Sequence, residues 1–302
     1  MPRLDNKVAV VFGAGPNIGG TIAHFLAKEG AKVVVNDISQ SAADETVKFL
    51  NSRNCEGVAL AGDATLEEDV VRIIDEATKR FGHVDVVVNL AGNVVWGEVT
   101  QMSLQDFSKC VLSFLSAGFL TTKYGARAMI EQSRKGSIIQ LLSTAAHFGE
   151  AGSIAYCSAK AGLMNLARSA AMDLAHLGIR VNTITPCSVE HQLWTRMKDE
   201  VVKEPPPRTR SFYSRDDYLK MIPMARFTRA SDIASAAVFL ASDESEFMTG
   251  IDLPVDGGLR VKYPTWRPGD FTGANIEDYL KSVQVTRYGE PVGKYWDTVK
   301  DR

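Results

Sequence analysis

The sequence predicts an α/β fold in which helices wind both faces of a mostly parallel sheet, and three observations predict it. Short β-branched apolar runs alternate with longer amphipathic segments along most of the chain. Most of those runs are apolar without alternation, as strands covered on both faces are. The first run turns into the first helical pattern through a glycine-rich stretch, VAVVFGAGPNIGG, from Val8 to Gly20.

In chain order, Val8–Phe12 reads as the first strand, with a helical pattern over Ile18–Glu29. Lys32–Asn36 and Ala42–Arg53 repeat that unit, as do Gly57–Ala61 and Leu66–Phe81. Val84–Asn89 leads into a long helical pattern over Gln105–Gln132, and Gly136–Leu142 into one over Ser153–His176. Arg180–Ile184 is the sixth strand candidate.

The 302 residues, 45% of them apolar, suffice for one α/β domain with an appendage. Lys and Arg number 34 against 36 Asp and Glu, a formal charge of −2. No global field then draws nucleic acid or an acidic membrane, and a small-molecule partner is expected. The cysteines Cys55, Cys110, Cys157 and Cys187 form no Cys-x-x-Cys pair and have no adjacent histidine. They read as reduced thiols, with no metal site. No run approaches the roughly 20 apolar residues of a membrane span, and no long apolar leader opens the chain. The expectation is a soluble, untargeted, cytoplasmic protein.

In a doubly wound sheet, ligands bind outside the carboxyl ends of the strands, near the switch in strand order. Polar or glycine residues recur at those ends: Gly13, Gly15, Gly19 and Gly20 after the first, Asp37 at the second, Asp63 beyond the third. The fourth ends in NLAG, Asn89–Gly92, and the fifth at Ser143. The glycine turn misses the Gly-x-Gly-x-x-Gly fingerprint because Ile18 stands where the last glycine belongs. Asp37 lies about 20 residues beyond that turn, where a carboxylate accepts hydrogen bonds from adenosine ribose hydroxyls and repels a 2′-phosphate. Residues 12–20 contain no Lys or Arg and Ile38 follows Asp37, so NAD is favoured over NADP. Asn36-Asp37 also reads simply as a cap of the following helix.

YCSAK carries the strongest local signal. Tyr156 and Lys160 are four apart in a helical pattern and share a face. A phenol ionises near pH 10, and a neighbouring ammonium favours the ionised form. Ser143, thirteen residues earlier, stands just past a buried strand, where its hydroxyl can donate to a substrate oxygen.

Together, Asp37, Asp63, NLAG, Ser143, Tyr156-x-x-x-Lys160, RVNTITP (Arg180–Pro186) and DGG (Asp256–Gly258) closely resemble the short-chain dehydrogenase/reductase family, in unbroken order over about residues 5–260. The resemblance implies a single Rossmann-fold domain over residues 1–260 with a seven-stranded sheet, an NAD cofactor, and hydride transfer between a secondary alcohol and a ketone. It implies Tyr156 as general acid or base, Lys160 as ribose ligand that also lowers the Tyr156 pKa, and Ser143 as donor to the substrate oxygen. The implied cofactor-binding residues are Gly13, Asn17, Ile18, Gly19, Asp37, Asp63, Ala64, Asn89, Ala91, Gly92, Tyr156, Lys160, Pro186 and Val189. Asp63 would approach the adenine, Asn89 would brace its strand, and Val189 would offer backbone to the nicotinamide amide.

Departures from the family pattern bear on the site. Phe12 and Asn17 replace a Thr and a Gly in the turn, and Asn17 is expected to keep it because Asn tolerates left-handed backbone. Phe114 stands where an Asn usually holds a water that relays protons to the lysine. Either it packs between helices, or Ser113 or Ser116 substitutes, or the relay is rerouted. Pro186-Cys187 replaces Pro-Gly, leaving an exposed and inert thiol, and His191 replaces a Thr as either a solvated residue or a contact to substrate or cofactor.

A substrate lid is expected over residues 190–229. Trp194, Met197, Met221 and Met224 suit a bulky apolar substrate. Arg208, Arg210 and Arg215 suit a carboxylate or an acyl carrier, or are simply solvated. The aromatic-rich segment 261–302 is expected to pack on its own domain or on a neighbouring subunit. A homo-oligomer, tetramer or dimer, is implied through the helices carrying Phe107–Gln132 and Ser153–His176. A cofactor-binding subunit without turnover is the alternative function. Enoyl reduction is disfavoured, since that branch spaces its Tyr and Lys more widely.

Overall fold

The computed structural model describes residues 2–190 and 219–262. Seven strands form one sheet: β1 (Val8–Phe12), β2 (Lys32–Asp37), β3 (Gly57–Ala61), β4 (Val86–Asn89), β5 (Gly136–Leu141), β6 (Ile179–Pro186) and β7 (Asp252–Val255). Their order is β3-β2-β1-β4-β5-β6-β7, and every neighbouring pair is parallel rather than most of them. The helices are α1 (Ile18–Lys28), α2 (Gln40–Asn51), α3 (Glu67–Phe81), α4 (Leu104–Glu131), α5 (Ile154–Leu174) and α6 (Ala230–Ala241). The expected extension lies outside the described residues beyond Lys262, and most of the expected lid, with His191, Trp194 and Met197, lies outside them too.

The lack of alternation in the strands has the anticipated cause. Ala9 and Val11 of β1 pack with Ile22 and Leu26 of α1 and Ile233 and Val238 of α6, while Val10 and Phe12 pack with Ile73 and Ile74 of α3 and Ala117 of α4. Each central strand therefore feeds two cores, both at essentially zero exposure.

The strand order reverses between β1 and β4, and the chain segments after these two strands diverge there. The β1 turn is close-packed. Gly13 has φ +76°, and a Cβ on Gly19 would lie 2.2 Å from the Gly13 carbonyl oxygen, so no side chain fits at position 19. Asn17 does not use the left-handed backbone expected of it. Its φ is −149°, and it keeps the turn as the N-cap of α1, its side-chain oxygen accepting from the Gly19 N–H at 3.1 Å.

RVNTITP knits the sheet edge. The Arg180 guanidinium donates to the Leu240 and Ser242 carbonyls and the Ser245 hydroxyl. Asn182 donates to the Met248 carbonyl and accepts from the Ile251 N–H. The Thr183 and Thr185 hydroxyls donate to Asp252. β6 and β7 are thereby locked in register, which fixes the loop following Pro186.

Candidate active site

A cleft of about 690 Å³ opens at the switch point, lined by residues after β1, β2, β3 and β4 and by one side of α4. Of the residues singled out above, Gly13, Asn17, Asp37, Asp63, Ala64, Ala91 and Gly92 line it. Its size suits a small organic ligand. A smaller cavity of about 480 Å³ lies at the amino ends of the strands, away from these residues.

Asp37 is held by both oxygens. One accepts from the Gly15 N–H and the other from the Ser39 N–H, each at 3.0 Å. It is not the helix cap, since Ser39 caps α2 through the Ala42 N–H. Each carboxylate oxygen keeps a further lone pair for a diol. The following Ile38 is 73% exposed, and Lys109 of α4 is the cationic residue among those lining the cleft. Asp63 accepts from the N–H and hydroxyl of Thr65, which fixes the β3 loop.

Asn89 is buried and accepts from the Ala91 N–H at 3.0 Å while donating to Gln140 at 2.8 Å. Gln140 in turn donates to the Gly118 carbonyl and the Thr122 hydroxyl. This buried chain ties β4, β5 and α4 together, and Gln140 is a member the sequence did not disclose.

Cys187 corrects an expectation: it is buried, its sulfur lies 3.1 Å from the Thr228 hydroxyl, and burial pushes its thiol pKa up. Pro186 closes β6 and is buried. Val189 bridges to Thr228 through its neighbours, Glu190 N–H donating to the Thr228 carbonyl and Thr228 N–H to the Ser188 carbonyl. That bond pattern turns the N–H and C=O of Val189 itself to the other side of the strand.

Ser143 follows β5 at the cap of a short 3₁₀ turn, its hydroxyl accepting from the Ala145 N–H. The same hydroxyl neighbours the Tyr156 phenol on α5 and favours its ionised form. Lys160, one turn on, is 4% exposed and donates to the Leu141 carbonyl at 2.7 Å. The Tyr156 pKa is raised by burial, and what opposes the rise is the neighbouring Ser143 hydroxyl rather than Lys160. Burial brings the Lys160 pKa down to about 7. The lysine ammonium lies 5.7 Å from the Tyr156 ring centroid.

Two aromatic neighbours complete this site. Phe114 is buried with its ring 5.4 Å from that of Tyr156 and 4.3 Å from the Lys160 nitrogen. Trp96, 53% exposed, lies 6.0 Å from Tyr156 on the open side. Ser113 is committed elsewhere, donating to the Cys110 carbonyl and accepting from the Asn93 N–H, while Ser116 lines the cleft. Among the described residues there is no cluster of metal ligands, no helix long and apolar enough to cross a membrane, and no disulfide.

A family profile described as Enoyl-(Acyl carrier protein) reductase matches residues 13–260. An uncharacterized oxidoreductase of Thermotoga maritima is 35% identical over 257 residues, covering 85% of this chain and 98% of the relative. The 3-oxoacyl-(acyl-carrier-protein) reductase of Vibrio cholerae is 34% identical over 85% of this chain and 98% of its own. The chain belongs to the short-chain dehydrogenase/reductase family. Glucose 1-dehydrogenase 2 of Bacillus subtilis, another member, is 32% identical over 87% of this chain and 97% of its own. A crystal structure of a candidate short-chain alcohol dehydrogenase from Sinorhizobium meliloti 1021 superposes with a TM-score of 0.76 at 29% identity, covering 86% of this chain and 98% of that one. As a member of this family, the protein is an oxidoreductase of the alcohol and ketone class that uses a nicotinamide cofactor, NAD or NADP.

The residues present fit that cofactor. Gly13 of the β1 turn and Asn17, the N-cap of α1, line the cleft, so the turn backbone and the α1 N-terminus border it, as a pyrophosphate requires. Asn17 takes one of those N–H groups for itself. Asp37, with lone pairs to spare, stands where a ribose diol needs an acceptor.

Proposed function

We propose that the protein is an NAD(H)-dependent oxidoreductase that interconverts a bulky apolar, or acyl-carrier-linked, secondary alcohol and its ketone. The observation that carries this reading is the gathering of Ser143, Tyr156 and a buried Lys160 at the β5 end, next to the switch-point cleft. The nicotinamide supplies the hydride acceptor or donor. Tyr156 takes the alcohol proton during oxidation and returns it to the ketone oxygen during reduction. Ser143 holds that oxygen within reach of the phenol, and Lys160 holds the nicotinamide ribose. Gly13, Ile18, Gly19, Asp63, Ala64, Ala91 and Gly92 shape the cofactor cleft, with Pro186 and Val189 at the nicotinamide end. Trp96 offers an exposed apolar face beside Tyr156, which supports a bulky substrate. His191, Trp194 and Met197 belong to the substrate side in this reading.

The description of the matching profile names enoyl reduction, but Tyr156 and Lys160, with three residues between them, favour the alcohol and ketone reaction. Relatives named for sugar and 3-oxoacyl substrates support the same class. The exposed Phe119 and Ile130 of α4 and Met172 of α5 support a homo-oligomer, tetramer or dimer, formed through these helices in the cytoplasm.

One observation favours a second reading, a cofactor-binding subunit with little turnover: the apolar ring of Phe114 backs Lys160 where a polar side chain would pass protons. The test is NADH formation with a panel of bulky secondary alcohols and hydroxyacyl thioesters. Tyr156-dependent turnover, lost in Tyr156→Phe, establishes the enzyme. Cofactor binding with no turnover across the panel moves the reading to the second.

A further inference from the structure

We propose that Phe114 is a positioning residue whose ring face holds the Lys160 ammonium charged and in place behind Tyr156. The inference rests on the reading of Tyr156 and Lys160 as the proton-handling pair. Its basis is how little else stabilises the lysine. One N–H is spent on the Leu141 carbonyl, and the next contact is the Phe114 ring, 4.3 Å from nitrogen to centroid. A desolvated ammonium over an aromatic face is attracted by the ring quadrupole. The titratable groups that face Lys160 are Tyr156 on its own helix and Cys110 on α4. Tyr156, its pKa raised by burial, offers no anion to the lysine at neutral pH.

Phe114 is itself held on three sides. Its ring meets Tyr156 edge-on, and it abuts Gly92, where an added Cβ would lie 2.1 Å from the ring. It shares a small apolar cluster with Cys110, Ala155 and Ala159. Such a ring cannot swing aside to admit water. Burial alone favours the neutral amine and takes the pKa to about 7, and the ring face opposes that fall. Phe114 therefore governs how much of Lys160 is ammonium at the pH where the pair works.

The test uses the full chain without cofactor, with lysine ε-carbons labelled with ¹³C and the Lys160 signal assigned by its loss in Lys160→Met. The Lys160 ε-methylene should be displaced upfield by the ring current, and Phe114→Leu should abolish that displacement. Phe114→Leu, which keeps the site dry but removes the π face, should lower the titration midpoint by about one pH unit. Phe114→Asn, which supplies a polar partner, should raise it. A Phe114→Leu midpoint at or above that of the unaltered protein overturns the proposal, as does an undisplaced ε-methylene. Phe114→Met serves as the ring-free variant if Leu does not fold. The titration needs no turnover. An inactive protein with the expected shift refutes the proposed function alone, and an active one without it refutes this inference alone.

Discussion

Asp37→Asn tests the choice of NAD over NADP. In the structure the Asp37 carboxylate is pinned by the Gly15 and Ser39 N–H groups and cannot turn away from a ligand at the cleft mouth. Two unit charges about 4 Å apart interact by about 4 kcal/mol at the effective dielectric of a protein surface. Asp37 is only partly buried, so screening leaves about a third of that, and a 2′-phosphate carries more than one charge. A preference for NAD of roughly 30-fold or more follows for the unaltered protein. The Asn variant keeps an acceptor and the approximate shape but removes the charge. Its NAD affinity should fall about 10-fold, through loss of a charge-assisted hydrogen bond, and its NAD to NADP ratio should approach unity. Quenching of intrinsic fluorescence by each cofactor reads both numbers. Equal affinities in the unaltered protein, or an unchanged ratio in Asp37→Asn, would refute the reasoning. If NADP proved tighter and Lys109→Ala abolished that, Lys109 rather than Asp37 would set the choice.

Three further outcomes are expected. Ser143→Ala removes the hydroxyl that favours the Tyr156 phenolate, so the Tyr156 pKa should rise and the acid limb of the pH profile for alcohol oxidation should move to higher pH, with kcat down at least 10-fold. Lys160→Met should stabilise the cofactor-free protein. The lysine pKa is about 7 folded against 10.5 unfolded, so the unfolded chain binds the extra proton between those values. Stability should therefore climb as pH rises from 7 to 10.5 and flatten in the variant. The gain near pH 7, read by thermal melts, is at most about 4 kcal/mol, less what the Phe114 ring returns. Gly92→Ala should cost about 3 kcal/mol in urea melts, because φ is +153° and the new methyl meets Phe114. Adding Phe114→Ala should recover only the steric part, and fully additive costs would rule out the contact.

The strands most legible in the sequence were those buried on both faces, because a run such as Val8–Phe12 has no other use for five consecutive apolar residues. Ends were less legible. Val84 is buried and apolar, yet β4 starts at Val86, because Asp85 is occupied with the Val8 N–H and Arg134. The missed elements have weak local signals: α6 is rich in alanine with little amphipathic contrast, and β7 is four residues with a proline, tolerable because β7 is an edge strand. At the site, the motif residues were legible because their spacing is local. Gln140, Trp96 and the Gly92–Phe114 contact were not, since each acts through a partner from another element. The environment of Cys187 was misread for the same reason: what buries it includes Thr228, 41 residues on.

The arrangement around Tyr156 sets two requirements against each other. A phenol must ionise transiently to accept an alcohol proton, yet the dry pocket that excludes water from a hydride transfer raises its pKa. The Ser143 hydroxyl supplies one opposing influence. A lysine buried nearby could supply another only while charged, and the same dryness works against that charge. An added carboxylate would keep the lysine charged, but it would also hold the phenol neutral by repelling its anion. A phenyl ring has no net charge: its face favours the ammonium at close range, and it presents no anion to Tyr156. Phe114 thus satisfies both constraints with an apolar residue. A reading of this position that looks only for a polar side chain would miss it.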